Sequence, residues 1–229
     1  MSWKEKLKEE GQKEKAKLKN MSWQDRVWYI WEYYKIHIAV IGIGFLFLYL
    51  VWTIAYNSTF TTRLSYAVVN DSNPETAGLE ALDQAFKAYM GYGKKDKVEL
   101  NSSLRIDTDG RASELGYASM AKISALVASD DLDMIITDEA TIRYYMELGA
   151  FIDLAQFLPA ELWQQVKDHV LYAEDAQGQS VPCGVDLSQT RFCEKTGVAI
   201  SPCYVGIITD PVRSDAVIDW LRFILELQP

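Results

Sequence analysis

The chain has 229 residues, of which 49% are hydrophobic, 24% charged and 12% aromatic, a balance that excludes a disordered tail, a collagen-like repeat and a disulfide-dense miniprotein. A net charge of −9 and a pI near 4.8 argue against nucleic acid as a partner, because phosphate binding needs a clustered basic face. The length suits one folded unit plus an appendage.

The charge is unevenly spread: residues 1–35 carry +3, residues 36–56 carry none, and residues 57–229 carry −12. Residues 4–19 are nearly all Lys, Glu, Gln and Leu, the composition of a solvated helix or a disordered tail. Met-Ser-Trp occurs at 1–3 and again at 21–23, which leaves Met21 open as a second start. Ser22 with Asp25 three residues on is a capping pattern. Trp23, Val27, Ile30, Trp31 and Tyr34 then recur on one helical face. Residues 1–35 are thus expected to be a cytoplasmic charged segment and an interfacial helix near anionic lipid, or equally a plain extension of the anchor that follows.

That anchor is Ile36–Tyr56, IHIAVIGIGFLFLYLVWTIAY, 21 residues without a formal charge. As a helix rising about 1.5 Å per residue it spans about 30 Å, the thickness of a bilayer's hydrocarbon core. A cleaved leader has a shorter apolar core of roughly 7–15 residues, although Thr53-Ile54-Ala55 is a passable cleavage sequence. Trp28, Tyr29, Trp31, Tyr33 and Tyr34 before the span, and Tyr49, Trp52 and Tyr56 near its end, match interfacial aromatic belts. Nine Lys and Arg precede it, whereas Arg63 is the one cation closely following it, so the N-terminus is expected in the cytoplasm and the rest outside.

After a linker at 57–63, the composition becomes that of a globular domain, expected over 64–229. Leu64–Val69 reads as a buried strand ended by the turn Asn70-Asp71-Ser72-Asn73-Pro74. Leu79, Leu82, Phe86 and Tyr89 form a helical face stopped by Gly91 and Gly93. Val98–Ile106 reads as a strand, Asp107-Thr108-Asp109-Gly110 as a turn or a partial calcium loop, and Ser113 opens a helix to Ala128. Asp133–Ile136 is a short buried strand, and Thr137 or Asp138 caps a helix ending at Gly149. Strands alternating with helices predict an α/β lobe with a mostly parallel sheet and flanking helices.

Leu132-Asp133-Met134-Ile135-Ile136-Thr137-Asp138, then Leu148-Gly149-Ala150-Phe151-Ile152-Asp153-Leu154 and Leu158-Pro159, resembles the extracellular solute-binding proteins of ABC importers. In that family an Asp-hydrophobic strand precedes a helix ending in Gly and a hydrophobic-Asp-Leu segment. Val181-Pro182-Cys183-Gly184-Val185 is placed like the family's strand after a hairpin. Tyr204–Thr209 with Ala216-Val217-Ile218-Asp219-Trp220-Leu221 is similar to its late strand and following helix. The family's second lobe would lie between Gly184 and Tyr204, an interval of only 19 residues here, so the resemblance implies a reduced, one-lobe relative with a vestigial insert. A transmembrane helix stands where the family has a lipid anchor.

In such folds ligands bind at the carboxyl ends of strands, beside helix N-termini. That selects Asn70, Asp71, Ser72, Thr137, Asp138 and Asp186, residue types that also serve as turn formers and caps. No catalytic constellation, metal-ligand cluster or cofactor motif is evident. His169 is the single histidine beyond the span. Among Cys183, Cys193 and Cys203, spaced by ten, a Cys193–Cys203 disulfide is expected with Cys183 free and buried. The expected protein is a non-catalytic, single-pass bacterial envelope protein. Its partners are the bilayer and a small solute or peptide, or alternatively another membrane protein on which the domain docks.

Overall fold

Ser22 opens the first helix as its capping pattern requires, its Oγ accepting from Asp25 N at 3.3 Å. In the computed structural model, which describes Trp3 and residues 21–108, 113–175, 177–188 and 190–226, this helix, α1, runs unbroken from Trp23 to Asn57. The charged segment at 4–19, and Asp109 and Gly110 of the acidic turn, lie outside the described residues. Of the two arrangements expected for the aromatic stripe, a separate interfacial helix or a plain extension of the span, the backbone has the extension, one continuous helix. Neither Pro nor Gly occurs between Trp23 and Gly42, so nothing in the sequence stops the backbone ladder. At about 1.5 Å per residue the helix is about 52 Å long, well beyond a hydrocarbon core. Its stretch Tyr34–Asn57 is apolar enough and long enough to span a membrane. Residues 1–59 and 60–229 are separate compact units.

The second unit is an α/β lobe. Strands β1 (Thr61–Val69), β2 (Asp96–Leu104), β3 (Met134–Thr137), β4 (Val170–Glu174), β5 (Ser180–Asp186) and β6 (Tyr204–Ile207) form one sheet in the order β2-β1-β3-β6-β5-β4. The sheet is mixed. β1 pairs in parallel with both β2 and β3, while β3–β6, β6–β5 and β5–β4 are antiparallel. The predicted parallel arrangement therefore describes the βαβ half only, and β6 returns against its neighbours to close the other half.

Helices α2 (Ala77–Tyr89), α3 (Glu114–Ala128) and α4 (Glu139–Glu147) follow β1, β2 and β3. Ser113 caps α3 through Gly116 N, and Asp138, rather than Thr137, caps α4 through Thr141 N. Gly149 ends the α4 segment at φ +72°, a conformation open to glycine without a Cβ clash. Short helices α5 (Leu154–Phe157) and α6 (Ala160–Val166) lead by a 3₁₀ turn at Lys167–His169 into the β4–β5 hairpin, and α7 (Phe192–Thr196) and α8 (Ser214–Glu226) flank β6.

Buried residues pack on both faces of the sheet, which is why β1 and β3 read as continuous apolar runs. Leu64, Tyr66 and Val68 of β1 face α2, α5, α6, α7 and α8, while Ala67 and Val69 face α3 and α4. The segment between β5 and β6 is no loose remnant. Its Leu187, Phe192, Val198 and Ile200 belong to the larger core cluster, and Thr196 O sits so close to Gly78 of α2 that any Cβ there would collide with backbone. Gly206 plays the same part on the other face, where a Cβ would meet the Phe151 ring at 2.8 Å.

Candidate functional site

The carboxyl ends of β1 and β2 open into a cleft of about 470 Å³, walled by residues 70–76 and 102–106 with Leu79 and Leu115. Two of its residues are non-glycines with positive φ, Asn70 at 63° and Ser103 at 60°, an arrangement that turns the backbone sharply where the strands end. The α2 N-terminus forms part of the wall. Its cap residue Thr76 makes no capping bond and donates its hydroxyl to Glu80 instead, leaving first-turn N–H groups without a side-chain acceptor among the described residues.

Of the six predicted site residues, Asn70, Asp71 and Ser72 line this cleft; Thr137, Asp138 and Asp186 lie elsewhere along the strand ends. Asn70 is a knot. Its Oδ1 accepts Ile106 N at 2.8 Å and its amide donates to Ile106 O, Asp138 Oδ2 at 2.6 Å and Thr141 Oγ1 at 3.0 Å. That ties the end of β1 to the exit of β2 and the start of α4, and commits Asp138 as well. Asp71 Oδ1 accepts Asn73 N and, from the far segment, Ala199 N, both within 2.9 Å. Ser72 is exposed, and its hydroxyl has no partner among the described residues. Thr137 is wholly buried opposite Tyr204, its Oγ1 without a hydrogen-bond partner among the described residues. Asp186 Oδ1 accepts Ser188 N, closing a turn. Asn73 and Arg105 are cleft residues outside the predicted set.

Asp107 belongs to the entrance of α3. Hydrogen bonds from the Ser113 hydroxyl and amide, and the nearby Arg105, hold its carboxyl below the usual carboxylate range. A Cβ on Gly116 would come within 2.7 Å of its Oδ2. The carboxylate is thus engaged as a helix-start clamp. Among the described residues no three His, Cys, Asp or Glu side chains gather around a metal position, and His169 is an exposed residue of the 3₁₀ turn.

All three cysteines are free thiols, so the expected Cys193–Cys203 bond is not formed in this structure. Cys183 is fully buried on the opposite face of the sheet, donates to Leu171 O at 3.6 Å, and burial pushes its thiol up to about 11.

Two buried ionisable groups do more than the sequence reading gave them: Asp83 was not singled out, and Asp133 was read only as the start of a buried strand. Asp83 of α2 accepts a hydrogen bond from Tyr66 Oη at 2.9 Å, and burial raises it to about 7. Its signal was its place on the apolar face, four residues after Leu79. Asp133, fully buried, accepts from Ser65 N and from Arg213. No protein-family profile, curated protein or solved structure matches the chain. Fold and cleft together define an α/β lobe with a solvent-open recess at its strand ends, following an apolar helix of membrane-spanning length.

Proposed function

We propose that the protein is a single-pass membrane-anchored binding module. Its α1 crosses the membrane with the N-terminus in the cytoplasm, and residues 60–229 form one extracytoplasmic, non-catalytic lobe like that of an ABC solute-binding protein. The observation that carries the reading is the cleft at the carboxyl ends of β1 and β2, where α/β sheets seat ligands. Chain order supports it as well: a buried strand, a helix ended by Gly149, a hairpin, and a late strand followed by α8 fall on the segments of the resemblance. With Asn70 committed internally, the groups left to meet a small solute or peptide are the Ser72 hydroxyl, the walls at 102–106 and the first turn of α2.

In a thermal-shift screen of the full-length chain in detergent against sugars, amino acids and short peptides, a cleft ligand at about 100 times its Kd adds about 2.7 kcal/mol. That raises Tm by roughly 5–10 °C. Ser72→Trp, which fills the recess, abolishes the gain. A full screen without any shift overturns the solute reading.

A second reading, docking on another envelope protein, is favoured by α3. Of its residues only Gly116, Ser119 and Ile123 are buried, while Leu115 and Tyr117 are 54% and 66% exposed. Crosslinking in membranes that captures one protein through α3, with no solute effect, supports this reading over the first.

Orientation has its own expected result. Protease added to wall-free cells digests residues 60–229 and leaves a membrane-bound fragment containing α1. Full protection of the lobe places it in the cytoplasm.

A further inference from the structure

A second recess, of about 390 Å³, lies between α2 and β2. Its helix wall carries Glu80, Asp83 and Gln84, and its strand wall is formed by Val98 and Leu100. It adjoins the strand-end cleft at Thr76 and Ser102, which line both. Asp83 is its floor. The residue is only 6% exposed, and Tyr66 Oη, donating to Oδ1 at 2.9 Å, fixes the carboxyl. The other oxygen, Oδ2, has no hydrogen bond among the described residues, yet the sealed, unpartnered side-chain atoms there are Ser65 Oγ, Thr137 Oγ1 and Trp220 Nε1. Oδ2 therefore faces the recess that its residue lines.

We propose that this recess is an ammonium subsite, which takes the –NH₃⁺ end of an aliphatic chain, either a lysine side chain of a bound peptide or a free alkyl amine, onto Asp83. The subsite rests on the binding reading, since the body of the ligand lies in the adjoining cleft, and it names the kind of solute admitted. An ammonium has three donors and no acceptor. Positions 80, 83 and 84 share one helical face and offer three acceptors: Asp83 Oδ2, the Gln84 carbonyl, and Glu80, one of whose oxygens accepts the Thr76 hydroxyl at 2.9 Å while the other is open. The half-buried Val98 and Leu100 give a methylene stem an apolar wall, the arrangement by which long cationic side chains bury their carbons.

The chain's own cations leave the place open. Lys87 and Lys97 line the recess, but neither forms an ion pair with Asp83 or Glu80 among the described residues. The Lys97 ammonium sits over the Phe60 ring, 4.3 Å from its centroid. Nor does Tyr66 explain an acid at position 83, because its hydroxyl needs an acceptor that asparagine supplies equally. Burial, with Glu80 adding to it, already raises the carboxyl to about 7; a bound ammonium takes the place of that proton as the partner of the charge. Calcium is the poorer match, since it takes six to eight oxygens and no three His, Cys, Asp or Glu side chains gather here among the described residues.

The full-length chain in a non-ionic detergent at pH 8, where an alkyl amine is still protonated, is titrated calorimetrically with two pairs of probes. One is aminopentanol against pentanediol. The other is the tripeptide Gly-Lys-Gly, capped at both ends, against its norleucine counterpart. The charged member of a pair is expected to bind and the neutral one not to; aminopentanol binding marks a free amine as sufficient, and binding by the lysine peptide alone marks a peptide side chain. Asp83→Asn, which keeps an acceptor for Tyr66, is expected to weaken that binding about 10- to 100-fold. Glu80→Gln, at an exposed position, weakens it about 2- to 5-fold and carries the test should Asp83→Asn not fold. Equal binding of the neutral probe, unchanged affinity in Asp83→Asn, displacement of the amine by equimolar calcium or magnesium, or no binding of either amine overturns the proposal. A solute without an amine that raises Tm while neither charged probe binds sinks the subsite and leaves the binding reading standing.

Discussion

Replacing Arg213 with methionine is expected to destabilise the lobe by about 3–5 kcal/mol, the cost of leaving a buried carboxylate without its cation, measured as a lower urea midpoint at unchanged slope. Asp133 is fully buried, and Arg213 supplies it with N–H contacts at 3.2 Å to both oxygens. The guanidinium also donates to Thr62 O and Asp130 O, so one side chain joins the start of β1, the approach to β3 and the turn before α8. Asp133 in turn exchanges backbone and side-chain bonds with Ser65 and accepts Ile208 N on its carbonyl. Burial nevertheless outweighs these partners and leaves the Asp133 carboxyl above its usual range. A charge so placed depends on its cation. Asp131 is the control: 3.8 Å from the same guanidinium but 55% exposed, it should cost less than about 1 kcal/mol when changed to alanine. The double variant Asp133→Leu with Arg213→Met should recover much of the loss, because no charge then remains buried. A cost for Arg213→Met as small as that of Asp131→Ala refutes the account.

Asp83→Asn is expected to change the pH dependence of stability rather than simply lower it. Burial, aided by Glu80 and opposed by the Tyr66 hydrogen bond and Lys87, raises Asp83 from 3.8 to about 7 in the folded lobe. A carboxyl with a folded value above its unfolded one binds its proton more tightly when folded. The folded state is therefore favoured below about pH 4, loses stability as pH rises toward 7, and is level above that. At about 1.36 kcal/mol per unit, the full swing is about 4 kcal/mol. Asparagine offers Tyr66 an acceptor and carries no charge. The variant should match the natural lobe near pH 4 and exceed it by up to about 4 kcal/mol at pH 8. Asp96 and Asp107, held below the usual range, contribute the opposite slope at lower pH in both proteins and cancel in the difference. Urea midpoints of the two chains from pH 4 to 8 that run parallel exclude a buried proton on Asp83.

What could be read from the sequence follows the range of the interactions involved. The apolar runs of β1 and β3, the caps at Ser113 and Asp138 and the stop at Gly149 are local patterns, and each lies within a residue or so of the element it marks. The direction of β6 is not local. Tyr-Val-Gly-Ile is buried on both faces and carries no orientation, and its pairing partners are about 20 and 70 residues away in sequence. Asn70 shows the same limit at the site. As a turn former it was legible; its bonds to Ile106, Asp138 and Thr141 depend on how two crossovers bring three distant strand ends together. The interval between Gly184 and Tyr204 read as a vestigial insert because the resemblance places a second lobe there, and the irregular spacing of Leu187, Phe192, Val198 and Ile200 gave no sign of the core face they share. Asp83 was missed for the opposite reason, since an acid among Leu79, Leu82 and Phe86 passes for a solvated position unless its angle on the helix is counted.

The two outer strands bear on what happens when many copies are crowded together. β2 runs along one margin for nine residues, but its register with β1 slips twice and it carries Asp96, Lys97 and Glu99. At the other margin β4 is irregular between Leu171 and Tyr172; Tyr172 lies opposite Pro182, which has no N–H to offer, and its carbonyl takes a bond from Arg143 at 2.9 Å. Irregular, charged margins are poor templates for a further strand. Lobes held at high density therefore resist stacking edge to edge into fibrils.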